Sequence, residues 1–204
     1  QGQSLENNIK IANALLDSAG WEMGADGIRS KNGNRMTIKL VLSSPLFQRI
    51  VEPYKNNLKK IGVKLDIKVV QIAKYEEILR NFNFDMIVAN YPQSRSPGNE
   101  QRSMWSSEAE STPGSRNYMG IKNPAIDELI NIIVEAKSRK ELINSIQAMD
   151  RILTHQFYIV PNWYIPYDRI VYWNKFSRPK INPSQSIIIN NIPEWWWFDE
   201  SKST

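Results

Sequence analysis

The side chains best suited to chemistry lie together in one stretch, residues 84–120, which begins as a predicted strand over 84–91 and continues as a long loop. Loops of this length in a compact domain are usually functional or disordered. Arginine presents planar donors to carboxylates, aromatic rings give stacking surface, and asparagine pairs with peptide-like amides. We therefore predict that the loop is the wall of a cleft for a peptide or an anionic small molecule. The predicted contact residues are Tyr91, Arg95, Arg102, Trp105, Arg116, Asn117 and Tyr118. The alternative is that the arginines are solvent-exposed and that Trp105 belongs to the core.

Catalytic and metal-binding groups are scarce. The sequence has no cysteine, which excludes disulfides, thiolate zinc sites and cysteine nucleophiles. A Ser–His–Asp arrangement would need the single histidine, His155, near the end of a predicted helix. The acids Asp127 and Glu128 fall in the first turn of a predicted helix, where they suit the helix dipole. We predict a protein that is not an enzyme, with no cofactor and no metal; the alternative is a peptide-acting enzyme that depends on His155.

The net charge of +5 raises the question of nucleic acid. The basic residues are scattered, and the densest group lies on one predicted helix and its exit: Lys55, Lys59, Lys60 and Lys64. This pattern favours a solvated helix face, and we expect no nucleic-acid partner. A basic nucleic-acid-binding α/β domain is the alternative, and it would bind random DNA in a salt-dependent way. No apolar run approaches the roughly 20 residues that span a bilayer.

The elements that position the loop follow a β-α-β-α-β order. A helix over 5–19 and a turn-rich stretch over 24–33 come first. Strands are then predicted over 36–42, 63–70 and 84–91, separated by helices over 45–61 and 75–82. This order implies parallel strands, and ligands of such sheets bind beyond the carboxyl ends of the strands. Those ends fall at 43–44, 71–72 and 90–91, and the third leads into the loop.

Two amphipathic helices follow the loop. Asn123 and Pro124 mark the start of the first, and the second covers 139–155. Strands are predicted over 158–165 and 169–173. From residue 174 the composition changes, and three consecutive tryptophans, residues 195–197, need a partner surface. We predict a ligand-binding lobe over 5–170 and a tail over 171–204 that crosses to another body.

Several motifs resemble one known family. The stretch ANALLDSAGW at 12–21 resembles the A-x-x-L-L-x-x-A-G-[WY] motif of the family 5 extracellular solute-binding proteins of ABC importers. The residues at 117–129, NYMGIKNPAIDEL, resemble that family's N-[FY]-x-G and N-P-x-[IVF]-D-x-L signature, and YIVP at 158–161 resembles its apolar strand ending in proline. PGNEQR at 97–102 and PGSRNY at 113–118 are most similar to the oligopeptide/microcin C-type subgroup.

The resemblance implies an α/β fold: the C-terminal lobe of a type II-like periplasmic binding protein, with the signal peptide and first lobe outside this chain. It also implies a periplasmic receptor whose two lobes close around a peptide or peptide-like solute and deliver it to an ABC permease in the inner membrane. In general oligopeptide receptors of the family, an aspartate after the third strand holds the peptide's amino terminus. Ser94 lies near that place here, which favours a modified, longer or more anionic ligand.

Overall fold

The chain begins with a helix and a small antiparallel sheet. The computed structural model describes residues 4–94, 96–165, 169–180 and 195–202. Helix α1 spans Leu5–Ser18, and the Ser4 hydroxyl caps it by accepting a hydrogen bond from the Asn7 backbone. The predicted turn-rich stretch contains a three-stranded sheet, formed by β1 (Glu22–Met23), β2 (Arg29–Lys31) and β3 (Asn34–Arg35).

A buried arginine joins this N-terminal unit to the rest of the lobe. Arg29 is 2% exposed, and its guanidinium donates to Asp17 Oδ1 at 2.6 Å and to Asn13 Oδ1 at 2.9 Å, both on α1. Its Nε donates to the Ile61 carbonyl oxygen at 2.8 Å. A buried charge is tolerated only when it is paired and hydrogen-bonded. These bonds meet that requirement, and they hold α1 against the turn that contains Ile61.

The centre of the fold is a three-stranded parallel sheet in the order β5-β4-β6. Its strands are β4 (Thr37–Leu42), β5 (Lys64–Val69) and β6 (Met86–Ile87). A 3-10 turn over Pro45–Phe47, capped by Ser44, leads into α2 (Gln48–Lys59), and α3 (Ile72–Arg80) follows β5. The predicted β-α-β-α-β order is confirmed.

The two faces of the sheet have separate apolar cores. Leu40 and Leu42 of β4 point to one face and pack with Val51 of α2. Val41 points to the other face and packs with Tyr75 and Ile78 of α3. Successive strand side chains alternate between faces, so this strand is buried on both sides.

The third strand is much shorter than the predicted 84–91. β6 pairs with β4 only at Leu40–Met86 and Val41–Ile87. The Asp85 carboxylate accepts the Lys39 backbone N–H at 2.9 Å, so a side chain replaces the next ladder bond. The backbone after Ile87 leaves the sheet and begins the loop.

The loop and the last helices form a third core. The loop contains a short helix, α4 (Glu100–Trp105), and a 3-10 turn over Glu108–Glu110. Neither was predicted. Helices α5 (Pro124–Glu135), capped by Asn123, and α6 (Arg139–His155) form the predicted hairpin. The buried side chains of this core are Met104, Trp105, Ile121, Ile126, Ile130, Ile133 and Met149.

The predicted strands over 158–165 and 169–173 are wrong for the residues that the structure describes there. A strand needs a neighbouring strand to accept and donate its backbone bonds, and these segments have none within the described ranges. Their large apolar side chains are exposed; Trp163 is 60% exposed and Trp173 78%. Further on, β7 (Phe176–Ser177) pairs antiparallel with β8 (Trp197–Phe198). Among the helices that the structure describes, none is both long and apolar enough to cross a membrane.

Candidate ligand-binding site

The carboxyl ends of the three parallel strands define one edge of the sheet. The chain leaves this edge at Ser43 after β4, at Val70 after β5 and at Val88 after β6. Two apolar side chains just beyond it are largely exposed: Leu46 at 75% and Ile72 at 70%. Ligands of open parallel sheets bind outside this edge, and the loop that carries the predicted contact residues begins here.

A compact aromatic and cationic cluster follows β6. The rings of Tyr91 and Trp105 stack with their centres 4.7 Å apart and 28° between their planes. The guanidinium carbon of Arg116 lies 5.3 Å from the centre of the Tyr91 ring. The ring of Tyr118 lies 6.3 Å from that of Tyr91 and 6.2 Å from that of Phe84. The structure therefore brings together four residues that the sequence singled out.

Tyr91 is the centre of this cluster. Its hydroxyl donates to the Arg116 carbonyl oxygen at 3.1 Å and lies 3.1 Å from Met119 Sδ. Burial raises the pKa of Tyr91 well above its ordinary 10.0, and the nearby Tyr118 adds to this, whereas Arg116 opposes it. The phenol is thus neutral near pH 7 and remains a hydrogen-bond donor.

Arg116 is half-buried, and both its backbone and its side chain are held in place. Its backbone N–H donates to the Ser103 carbonyl oxygen at 2.9 Å. Its Nη2 donates to the carbonyl oxygen of Asn90, which lies shortly after β6. In the described part of the chain, no carboxylate lies within ion-pair distance of this guanidinium.

Asn117 is fully buried, and its side chain bonds only to backbone groups of the protein. Its Nδ2 donates to the carbonyl oxygens of Ser106 and Ile121, each at 2.9 Å. Its Oδ1 accepts the Ile121 backbone N–H at 2.8 Å. Direct ligand contact by Asn117 stays a prediction, and the observed role is to hold the loop against the start of α5.

Trp105 is also buried, at 7% exposure, and its Nε1 donates to Gln101 Oε1 at 2.9 Å. Gln101 in turn donates to Gln93 Oε1 at 2.7 Å. This chain of bonds fixes α4 to the loop that follows Tyr91. Trp105 therefore supports Tyr91 from the core, and its own contact with a ligand stays a prediction.

The other two predicted contact arginines are Arg102 and Arg95. Arg102 is exposed on α4, and its Nη1 donates to Asn131 Oδ1 on α5 at 3.0 Å. Arg95 lies outside the described residues. Ligand contact by either arginine stays a prediction.

Asp127 is an anchor that the sequence reasoning missed. The prediction assigned it to the dipole of α5, but its carboxylate accepts the Ser107 backbone N–H at 2.8 Å and the Ser107 hydroxyl at 2.6 Å. The sequence signal for this role was the position of Asp127 in the N-P-x-[IVF]-D motif. The motif indicates that an aspartate is needed there, but it does not show which residue the carboxylate binds. Within the described ranges, no group of three or more His, Asp or Glu side chains could hold a metal ion.

Comparison with known proteins establishes the family. The family model for bacterial extracellular solute-binding proteins, family 5 (middle), matches residues 1–113, more than half of the chain. The chain belongs to family 5 of the bacterial extracellular solute-binding proteins. The predicted resemblance is confirmed, and this is a family of binding proteins rather than enzymes.

Individual relatives extend the family match along almost the whole chain. The protein y4wM of Sinorhizobium fredii is 36% identical over 96% of this family 5 chain and 29% of its own length. The probable peptide-binding protein YejA of Agrobacterium fabrum is 34% identical over 94% of this chain and 31% of its own length. This chain thus spans about 30% of the length of these relatives.

A solved structure confirms the fold. The oligopeptide-binding protein AppA of Bacillus subtilis, solved with a nonapeptide, gives a TM-score of 0.64 at 23% identity. The match covers 73% of this family 5 chain and 30% of that chain. The fold is that of the C-terminal lobe of a periplasmic binding protein, as the sequence predicted.

Proposed function

We propose that this chain is the part of an ABC importer's receptor that binds a peptide or peptide-like solute at the carboxyl edge of its central sheet. The observation that carries the proposal is the cluster of Tyr91, Arg116 and Tyr118, which is half-exposed beside this edge and held by buried anchors. Binding sites usually combine apolar and aromatic walls with a few fixed polar groups. The cluster has both.

The comparisons favour a peptide-like solute. One relative is named a probable peptide-binding protein, and AppA was solved with a nonapeptide. The chemistry of the cluster agrees with this class, because tyrosine rings can cover apolar side chains. The Arg116 guanidinium can donate to peptide carboxylates and carbonyls. We propose that Tyr91, Arg116, Tyr118, Arg102 and Arg95 contact the solute, with Trp105 and Asn117 shaping the wall from behind.

The proposed mechanism is closure of two lobes around the solute. The relatives are about three times as long as this chain, which leaves length for a second lobe. Such a lobe would cover the apolar side chains that are exposed at the edge, Leu46 and Ile72. We propose that the tail over 171–204, of which 181–194 and 203–204 lie outside the described residues, packs on the same lobe. The closed receptor would deliver its solute to an inner-membrane permease from the periplasm, and no covalent bond is made or broken.

The test uses the full-length protein. Native mass spectrometry followed by denaturation identifies any molecule that co-purifies, and a pool of short peptides is then titrated onto the emptied protein. A released peptide or peptide conjugate, or retention of peptides from the pool, would support the proposal. The substitution Tyr118→Ala should weaken retention at least tenfold, about 1.4 kcal/mol, while Arg151→Gln on the exposed side of α6 should not. An empty protein that retains no peptide would contradict the proposal.

A further inference from the structure

We propose that Arg116 is a preorganised anion subsite, so that the solute presents a carboxylate or phosphate group to this lobe. This inference rests on the proposed function and specifies its substrate class. It depends on four observations: the fixed position of the guanidinium, its remaining donors, the lack of a carboxylate partner in the described part of the chain, and the neutral residues that follow the three strands.

The position of Arg116 is fixed before any solute arrives. Its N–H and carbonyl are bonded to Ser103 and Tyr91, and its neighbours Ser115 and Asn117 are buried and hydrogen-bonded. The side chain is bonded to the Asn90 carbonyl and lies beside the Tyr91 ring. Ordering a free arginine side chain on binding costs about 0.5–1.5 kcal/mol, and most of that cost is already met here.

Donors remain available on the guanidinium. Arginine has five N–H donors, and a single bond, to Asn90, is recorded for the Arg116 side chain among the described residues. Two of the loop acids bind elsewhere: Glu100 accepts the Gly98 N–H at 2.9 Å, and Glu110 pairs with Lys122 at 3.0 Å. A planar pair of donors in this position matches the two oxygens of a carboxylate or a phosphate.

Three other arginines of the described chain differ from Arg116 in their partners. Arg29 is bonded to Asp17, and Arg35 pairs with Asp26. Arg102 is bonded to Asn131. These three contacts join parts of the protein to one another through side-chain oxygens. Arg116 has no such side-chain oxygen among its recorded partners: its Nη2 donates to the Asn90 backbone carbonyl, which orients the side chain and leaves its charge unneutralised.

The side chains that directly follow the strands include no carboxylate that could pair with Arg116. The first residues beyond the three carboxyl ends are neutral, over 43–48, 70–73 and 88–94. A carboxylate here would bind the amino terminus of a peptide, and Ser94 also offers none. The charge of this edge therefore favours the anionic part of a solute over a cationic part.

The experiment compares matched peptide libraries on the full-length protein. A random tetrapeptide library is made as free acids and as carboxyl-terminal amides, and the amide library is remade with one glutamate or one phosphoserine. Native mass spectrometry measures retention of each. We expect free acids, or one of the two acid-bearing amide libraries, to be retained about 10- to 100-fold better than neutral amides, as a charged hydrogen-bond pair allows. The library that is preferred identifies the source of the anion.

Variants assign this preference to Arg116. Arg116→Gln should reduce the preference to within about threefold while leaving retention of neutral amides intact; Arg116→Lys should retain part of it. Arg151→Gln should leave it unchanged, and thermal unfolding checks that each variant is folded. Equal retention of every acid-bearing library and the neutral amide library by the wild type, or a preference that survives Arg116→Gln, would overturn the inference alone. Retention of no peptide by any variant would overturn the proposed function and this inference with it.

Discussion

Replacing Asn117 with alanine should detach the candidate site from the core. The Asn117 side chain makes three hydrogen bonds, to the backbone of Ser106 and Ile121, in a place with no solvent exposure. Alanine removes all three and leaves the N–H and the carbonyl oxygen of Ile121 without a partner, whereas the Ser106 carbonyl oxygen still accepts the Ala109 N–H. Water cannot reach these groups unless the loop opens.

The size of the effect follows from that geometry. A hydrogen bond contributes a net 0.5–1.5 kcal/mol or so, and a buried group left unpaired costs about 1–3 kcal/mol. Allowing for partial relaxation, we expect Asn117→Ala to lower the stability of this region by about 2–4 kcal/mol. That is a large share of the roughly 5–15 kcal/mol that stabilises a typical domain.

Hydrogen exchange of the full-length protein measures this locally. The Ile121 N–H should lose protection strongly in Asn117→Ala, and the apparent melting temperature should fall. Asn131→Ala is the matched control, because Asn131 is exposed and its recorded bond goes to Arg102; it should change stability by less than about 1 kcal/mol. Full protection of Ile121 in Asn117→Ala, with a loss under about 1 kcal/mol, would refute the assignment of Asn117 as an anchor.

Three further predictions concern neighbouring parts of the lobe. Gly62→Ala should lower the free energy of unfolding by about 2–4 kcal/mol. The reason is that Gly62 has φ +78° and that an added Cβ would lie 2.6 Å from the buried side chain of Arg29. Gly33→Ala has a similar φ but open space around the added Cβ, and it should cost only about 1–2 kcal/mol. Stability should fall as the pH rises above about 10, because burial raises the pKa of Tyr91 and only the unfolded state releases that proton there. Burial also raises the pKa values of Tyr54 and Tyr75, so an ultraviolet phenol titration should show several late tyrosines, the latest of which Tyr91→Phe removes. Asp127→Ala should lower the free energy of unfolding by about 1.5–3 kcal/mol, because it removes two hydrogen bonds to a charged acceptor. Thermal unfolding should show this as a lower melting temperature, whereas Glu128→Ala, at an exposed position in the same helical turn, should leave it unchanged.

The regular elements were predictable because their signals are local. The apolar spacing of α1 and α6 gave their bounds to within a residue, and Asn123 before Pro124 marked the start of α5. β4 was recognisable from its apolar residues, and the order of helices and strands then implied a parallel sheet. Each of these inferences uses neighbouring residues only.

The failures involve interactions between distant residues. The length of β6 depends on the Asp85 carboxylate, which accepts the Lys39 backbone N–H of β4 in place of a backbone carbonyl. The periodicity of residues 84–91 does not reveal this contact. Helix α4 has only six residues, and its buried face depends on Gln101 bonding to Trp105 and to Gln93 in the preceding loop. The segment over 158–165 has strand-forming residues, but a strand also needs a partner, which sequence composition cannot supply.

The candidate site shows the same division within four consecutive residues. Ser115 and Asn117 are buried and bonded to backbone groups, whereas Arg116 and Tyr118 between and after them are half-exposed. Side-chain type alone did not separate these roles, since asparagine and arginine are equally plausible ligand contacts. The alternation of buried and half-exposed positions does separate the two roles. The short polar side chains of Ser115 and Asn117 point inward and hold the backbone, and the longer side chains of Arg116 and Tyr118 extend from that backbone. Substitution of Asn117 should therefore affect stability first and binding as a consequence, whereas substitution of Arg116 should affect binding while the lobe stays folded.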